Sequence, residues 1–485
     1  LEPLGRRAAD RAELAWTRLS TAFAAPPSGR VDLLVTDHAD ISNGFAQLHP
    51  SNRITVYARP PVDDPGLGYF DDWMELVVTH ELAHVFHLDR AGPLGRALRG
   101  MFGRVPATWP FFPGLGQPRW TSEGMATWLE SRFSGAGRIR GTYHDMVLRT
   151  AALEGRFERF DQAAGESPVW PEGTRPYAYG SLFFDHLLEK YGEDRLGAFT
   201  ETVAGQWVPY RLDAAGRKAF GVPLSEEWRV WTGAVAHEAA EVKSAAERLG
   251  PLTVPERLTP GARVALQPRV SRDGARLAFV ASDGRSDPQL RVTGPQGAGD
   301  LAAHRTNGLA TFDWLDGDRL LVSQLEFDGA YQAWGDLWDV PGDGSSRGVT
   351  RGERLSQPSA YPAGRWAVAV QEGEGSNALV RVDLTSGKVT PVVGPDPDVH
   401  WAFPAVSPDG RWIAASRWTP GAYLDVVVLD AEGREVLQVT RDRAMDLAPA
   451  WTPDGRMLRW GSDRTEVPNI LAAPVDPAAG EAGPV

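Results

Sequence analysis

The residues best suited to chemistry lie in one short stretch, His80-Glu81-Leu82-Ala83-His84, within "VVTHELAHVFHLDR" (77–90). On a helix, positions four apart differ by about 40° around the axis, so both imidazoles can reach one metal ion. Glu81 lies close to the same face, where a carboxylate can take a proton from water activated by that ion. The same five letters also fit a buried helix that happens to carry two histidines, so the motif needs support from the rest of the chain. Two features give it. Val77, Val78, Leu82, Ala83, Val85 and Phe86 make this a buried helix, and of ten histidines three fall within residues 80–87.

A metal site of this kind needs a third ligand. The metzincin extension would place glycine three residues after His84 and a further histidine six after it. Those places hold His87 and Arg90, which excludes that pattern. The segment "QPRWTSEGMATWLESRF" (117–133) offers carboxylates instead. Thr121 or Ser122 can cap a helix there, with Glu123 in its first turn and Glu130 two turns on, near the same face. Both glutamates are candidates on spacing alone.

"HELAH" followed downstream by "WTSEGMATWLE" resembles the gluzincin metallopeptidases of the MA clan. More closely it resembles the peptidase-MA-like domains that pair HExxH with a "W..EG.A" helix. The likeness spans about residues 30–235 and takes in "SNGFAQLHPSNRITVYARPP" and "YAYGSLFFDHLLEKYG". It implies a zinc metalloendopeptidase of zincin-like α+β fold acting on a protein or peptide. His80, His84 and Glu123 would hold Zn2+, and Glu81 would be the general base. Substrate is expected to pair with an edge strand near Ile54–Tyr57. Tyr177 and Tyr179 stand at the start of the later helix, where a phenol can donate to a tetrahedral oxyanion. Tyr179 is put forward for that catalytic role, with core packing as its competing use. Thermolysin-like gluzincins carry Asn before the ligand Glu and Asp four residues after it, whereas this chain has Ser122 and Thr127. The carboxylate that orients a ligand histidine must come from elsewhere, and Asp89, Glu130 and Asp145 are candidates. His87 is read as a partly exposed histidine at a helix end.

The elements that must position these residues change style near residue 250. Before it, apolar residues recur at helical spacing in 6–23, in "DDWMELVVTHELAHVFHL" with Asp71 or Asp72 as cap, and in 122–133, 143–154, 179–191, 194–204 and 226–248. "RVDLLVTDHA" and "RITVYARPP" read as strands joined by a turn-rich stretch at Asn43-Gly44. Residues 1–250 therefore form the zincin-like domain and 251–261 a linker. From 262 to 485 helices give way to a repeat, with turn glycines Gly274, Gly317, Gly364, Gly410 and Gly455 about 45 residues apart. Short strands around Asp-Gly turns at that period describe β-propeller blades. "SPDG" (407–410), "TPDG" (452–455) and "SRDG" (271–274) resemble the TolB-like propellers, a resemblance that speaks to fold more than function. The expected architecture is multidomain: an α+β zincin-like domain plus an all-β propeller of about five visible blades. Five units fill 262–485 and the tail "DPAAGEAGPV" reads as a turn. An open arc with missing blades is expected, rather than a ring closed by residues 262–270.

Composition narrows the function. The net charge is -13, and no Lys/Arg-rich run is present, which argues against nucleic acid as partner. Cysteine is absent, so disulfides and thiolate metal sites are excluded. No apolar run is long enough for a transmembrane segment. A secreted protein, periplasmic or extracellular, is the expected setting, with any signal peptide out of view. "GSSRG" (344–348) matches a serine-hydrolase elbow but lies in a polar turn without strand–helix context. A propeller can recruit or gate substrate, or bind a protein partner. The alternative reading is a non-catalytic interaction protein with a structural zinc, and a hydrolase of a non-peptide bond fits the same residues.

Overall fold

The computed structural model describes residues 1–485 apart from 166–169, 260–261, 295–296, 298, 309 and 344. Gly344, the first residue of "GSSRG", and the end of the expected linker lie outside the described residues.

The first half is α+β. Helix α1 (Glu2–Ala22) leads into β1 (Val31–Thr36), β2 (Gly44–Gln47) and β3 (Asn52–Tyr57). These make one small sheet in the order β1-β3-β2, with β3 parallel to β1 and antiparallel to β2. Two expectations are corrected here. The stretch read as a turn at Asn43-Gly44 opens a strand, and Ile54–Tyr57 is the middle of the sheet, hydrogen-bonded on both sides. The edge is β2. Ile54 and Val56 of this central strand are fully buried against the helices.

The helices that follow are α2 (Trp73–Leu88), α3 (Pro93–Phe102), α4 (Arg119–Ser134), α5 (Thr142–Leu153), α6 (Arg175–Tyr191), α7 (Arg195–Ala204), α8 (Leu212–Ala219) and α9 (Leu224–Leu249). Asp72 caps α2, its side chain accepting from the Glu75 N–H at 3.2 Å. From Trp73 to His87 every residue of α2 except Glu75 is buried, so this helix runs through the core instead of along a surface. Trp16 of α1 meets Phe86 edge to face at 5.0 Å, and α4 packs along another side of α2. Glycine lets α4 and α6 approach backbone to backbone: a Cβ on Gly180 would stand 2.8 Å from the Gly124 Cα. α4 begins at Arg119, ahead of the expected caps, so Glu123 falls in the second turn.

The second half is all-β. Five sheets built on four antiparallel strands follow one another along the chain, spanning 264–305, 311–348, 355–393, 400–438 and 447–482, and the fourth gains a short fifth strand, Ala444–Met445, parallel to Tyr423–Asp430. All five turn glycines have positive φ, between 53° and 72°, as tight hairpin turns require. Gln267, Gln357, Phe403 and Ala448 also have positive φ, and each lies at a bulge in the first strand of its sheet. These first strands pack side by side in chain order, giving a propeller-like row. Residues Val264–Val270 pair with Leu277–Ser282 of their own sheet, and the tail read as a turn contributes Glu481–Ala482 as outer strand of the last sheet. Leu266 and Val270 at one end of the row and Ile470 at the other are exposed. No helix among the described residues is long and apolar enough to cross a membrane.

The two halves share a core. Trp418, Tyr423, Leu424 and Met445 belong to the same buried cluster as Tyr69, Phe70 and the α2 residues. Trp418 donates its indole N–H to the Phe70 carbonyl at 3.1 Å, and the Tyr69 hydroxyl donates to Asp463 at 2.9 Å. Polar groups clamp the loop between β1 and β2. Arg354 reaches Asp37 at 2.7 and 2.8 Å and Asp40 at 2.8 Å, and the Gly335 N–H donates to Asp40 at 2.9 Å. Main-chain bonds join Ala333 to His38 and Asp40, both at 2.9 Å. Nearby, Arg59 binds Glu372 at 3.0 Å and Asp63 at 2.8 Å. Burial pushes the Glu372 carboxyl up to about 7 against the pull of Arg59.

Candidate metal centre

α2 and α4 bring three side chains to one point. His80 Nε2 and His84 Nε2 are 3.1 Å apart, and Glu123 Oε2 lies 3.2 Å from the second and 3.6 Å from the first. Ligands of a tetrahedral zinc ion, about 2.0–2.1 Å from it, stand about 3.3 Å from one another. The three donors therefore fit one small cation, and this His–His–Glu cluster could hold a metal ion. The electrostatics agree. Burial works against a proton on His80, but hydrogen bonds with Glu123 and Glu130 outweigh it and hold the ring up at about 9. Burial raises Glu123, yet His84 and His80 together hold its carboxyl far below the usual range. Such a nest of opposed donors is satisfied by a cation, whether protons or a metal. His84 Nδ1, buried, has no hydrogen-bond partner among the described residues.

Glu130 is fully buried and resolves into a different position from Glu123. Its Oε2 lies 2.7 Å from His80 Nδ1, placed to accept the Nδ1–H when a metal takes the Nε2 lone pair. Arg138 grips both oxygens of this carboxylate, donating from Nε to Oε1 and from Nη2 to Oε2, each at 2.7 Å. Burial raises Glu130, but Arg138 and His80 bring it down to about 2, so it stays ionised. Of the three carboxylates considered for this orienting role, Asp89 is committed to Arg99, Arg104 and Asn52. Asp145 forms no bond to either ligand histidine. Arg138 escaped the sequence reading because it follows α4 in a glycine-rich turn with no spacing rule to mark it.

Glu81 lies beneath the edge strand. A Cβ on Gly44 of β2 would come within 2.7 Å of Glu81 Oε1, so the missing side chain makes room for this carboxylate. Glu81 is 4% exposed and its carboxylate forms no hydrogen bond or ion pair with any described residue. Burial raises its pKa.

The two tyrosines are placed differently from expectation. The Tyr179 hydroxyl accepts from the Glu158 N–H at 3.1 Å, and its ring packs among Phe157, Trp228 and Trp231. That position is spent on the aromatic core. Tyr177 instead stacks on His80, with ring centroids 6.3 Å apart, and the Arg138 guanidinium lies over its ring, 4.9 Å from the centroid. Burial and the Glu123 charge push its hydroxyl up to about 12, so it remains a hydrogen-bond donor. His87 is buried rather than partly exposed, lies 3.2 Å from the Gln117 amide, and burial brings it down to about 3.

No family model matches the chain. An uncharacterized protein of Treponema pallidum (strain Nichols) is 24% identical over 206 residues, which make up 41% of this chain and 17% of that protein. The chain thus spans less than a fifth of this relative's length. Among solved structures, TolB from Acinetobacter baumannii has a TM-score of 0.36 at 17% identity, covering 44% of this chain and 52% of that one. A putative TolB from Agrobacterium tumefaciens has a TM-score of 0.37 at 20% identity, covering 46% and 80%. The β-propeller domain of the Trilobed protease from Pyrococcus furiosus has a TM-score of 0.36 at 11% identity, covering 46% and 69%. Each of these likenesses takes in less than half of this chain.

Proposed function

We propose that the chain is a zinc-dependent metallopeptidase of gluzincin type, with His80, His84 and Glu123 as ligands and Glu81 as general base. The observation that carries this reading is Glu81: a buried carboxylate without a partner, beside a cation site and under an edge strand. Burying a carboxylate without compensation is costly, and a purely structural metal site has no use for one. When bound, zinc supplies Lewis acidity to the scissile carbonyl and to the attacking water. Glu81 takes one proton from that water as its oxygen attacks the carbonyl carbon, then hands the proton to the amine nitrogen as the C–N bond breaks. Glu130, held by Arg138, keeps His80 in the tautomer that faces the site. Tyr177, rather than Tyr179, is the phenol suited to donate to the oxyanion. An extended peptide is held by backbone pairing along the free side of β2. The TolB-like second half completes the walls around this strand, and the setting is periplasmic or extracellular.

A second reading has its own support. The ligand side chains are largely buried, and a cavity of about 220 Å³ lies in the seam by Trp73, His400 and Trp418 instead of beside Glu81. A structural zinc in a propeller-based interaction protein fits those facts. Glu81→Gln separates the two. On the peptidase reading this variant keeps its zinc and its melting temperature but cleaves unstructured protein at least about 100-fold more slowly. Cleavage at the parental rate excludes Glu81 as the base. A parent that holds zinc and cleaves nothing favours the interaction protein.

A further inference from the structure

The solvent face of α3 is unusual for this chain. Its exposed positions are Pro93, Arg96, Ala97, Gly100, Met101 and the terminal Phe102, with no carboxylate among them. Residues 91–122 contain four arginines and no Asp or Glu, and residues 202–212 contain one arginine and no acid, in a protein of net charge -13. The two segments form one surface. Trp207 borders the same hollow as Pro93, Leu94 and Gly95, the Trp109 indole N–H donates to the Gln206 carbonyl at 3.0 Å, and the Tyr210 and Thr108 hydroxyls are 2.9 Å apart. Large apolar side chains stand out from it: Met101 is 67% exposed, Phe102 66%, Trp207 76% and Val208 60%. Exposed apolar residues scattered singly need no explanation, but a cluster of this kind marks a contact surface.

The charges select the occupant. Arg99 and Arg104 both pair with the buried Asp89, but Arg96 and Arg211 have no carboxylate partner among the described residues. Of the acids that flank residues 202–212, Glu201 is taken by Arg90 at 3.2 Å, and Asp213 accepts from the Ser225 N–H and hydroxyl at 2.8 and 2.7 Å. Tryptophan and phenylalanine beside arginine without a carboxylate partner are the side chains that settle at the headgroup level of a bilayer. We propose that Met101, Phe102, Trp207 and Val208, with Arg96 and Arg211, form a docking surface for an anionic lipid bilayer. The contact is interfacial, since no described helix can cross a membrane. It is independent of the peptidase reading, because none of these six residues touches the metal centre.

The test uses the full chain and vesicles of phosphatidylcholine with or without phosphatidylglycerol, read by co-sedimentation. The parent is expected to bind the anionic vesicles and to be released by salt. Phe102→Asp combined with Trp207→Asp, and separately Arg96→Glu combined with Arg211→Glu, should each weaken that binding by about tenfold or more. All four positions are exposed, so unchanged melting temperatures will show that the variants fold. Failure of the parent to bind either vesicle overturns the proposal and leaves the patch to a protein partner. Binding that neither pair of substitutions weakens also overturns it.

Discussion

Two arginine clamps serve the candidate centre from opposite sides. Arg138 grips Glu130, which takes the Nδ1–H of His80, and all three belong to the first half of the chain. Arg354 comes from the second half and grips Asp37 and Asp40 in the loop that leads into β2, the strand over Glu81. The first clamp decides which nitrogen of His80 faces the cluster. The second holds the loop that leads into β2. The metal ligands are therefore held within their own half, while the surface on which a peptide would lie depends on the other half. In that arrangement the propeller-like region is joined to the first half through a common core.

This comparison can be broken at the core. Trp418→Ala removes a buried indole from beneath Phe70, at a cost of about 3–5 kcal/mol. Calorimetry should show the whole chain unfolding at lower temperature in one shifted transition. If only the second half shifts and the first keeps its own transition, the shared core does not couple them.

A smaller and more selective effect is expected from Arg354→Ala. Removing this side chain leaves Asp37 and Asp40 unpaired at the seam, which favours local opening of the loop. Hydrogen exchange at residues 37–47 should quicken on the order of tenfold, with exchange in α2 and α4 and the zinc content unchanged. Loss of zinc in step with faster exchange would show that the two clamps are one mechanical unit, against the distinction drawn above.

What could be read from the sequence follows the range of the interactions. His80, Glu81 and His84 share a helix turn, so their types and spacing suffice. Glu123 needed a second helix, and the resemblance singled it out from Glu130, which spacing alone did not. The five turn glycines were legible because positive φ is a local demand. β2 was not, since "NGFAQ" carries the letters of a turn and its pairing with β3 depends on tertiary context. Nor was α3, whose two glycines weaken a helical reading while tertiary packing overrides them. Tyr177 and Tyr179 are two positions apart on one helix, about 200° around its axis, so a choice between them is a choice of face. Arg138 and Arg354 reach partners through folding alone, and nothing in their own neighbourhoods announces it.

The central claim is that the first half holds one zinc ion through His80, His84 and Glu123. Metal analysis of the purified chain should find about one zinc in the parent and in Arg354→Ala, and none in His80→Ala combined with His84→Ala. Glu130→Gln should bind zinc about 10–100-fold more weakly without losing the site. A double variant that retains the parent's zinc, or a parent that takes up none when it is supplied, would contradict the account.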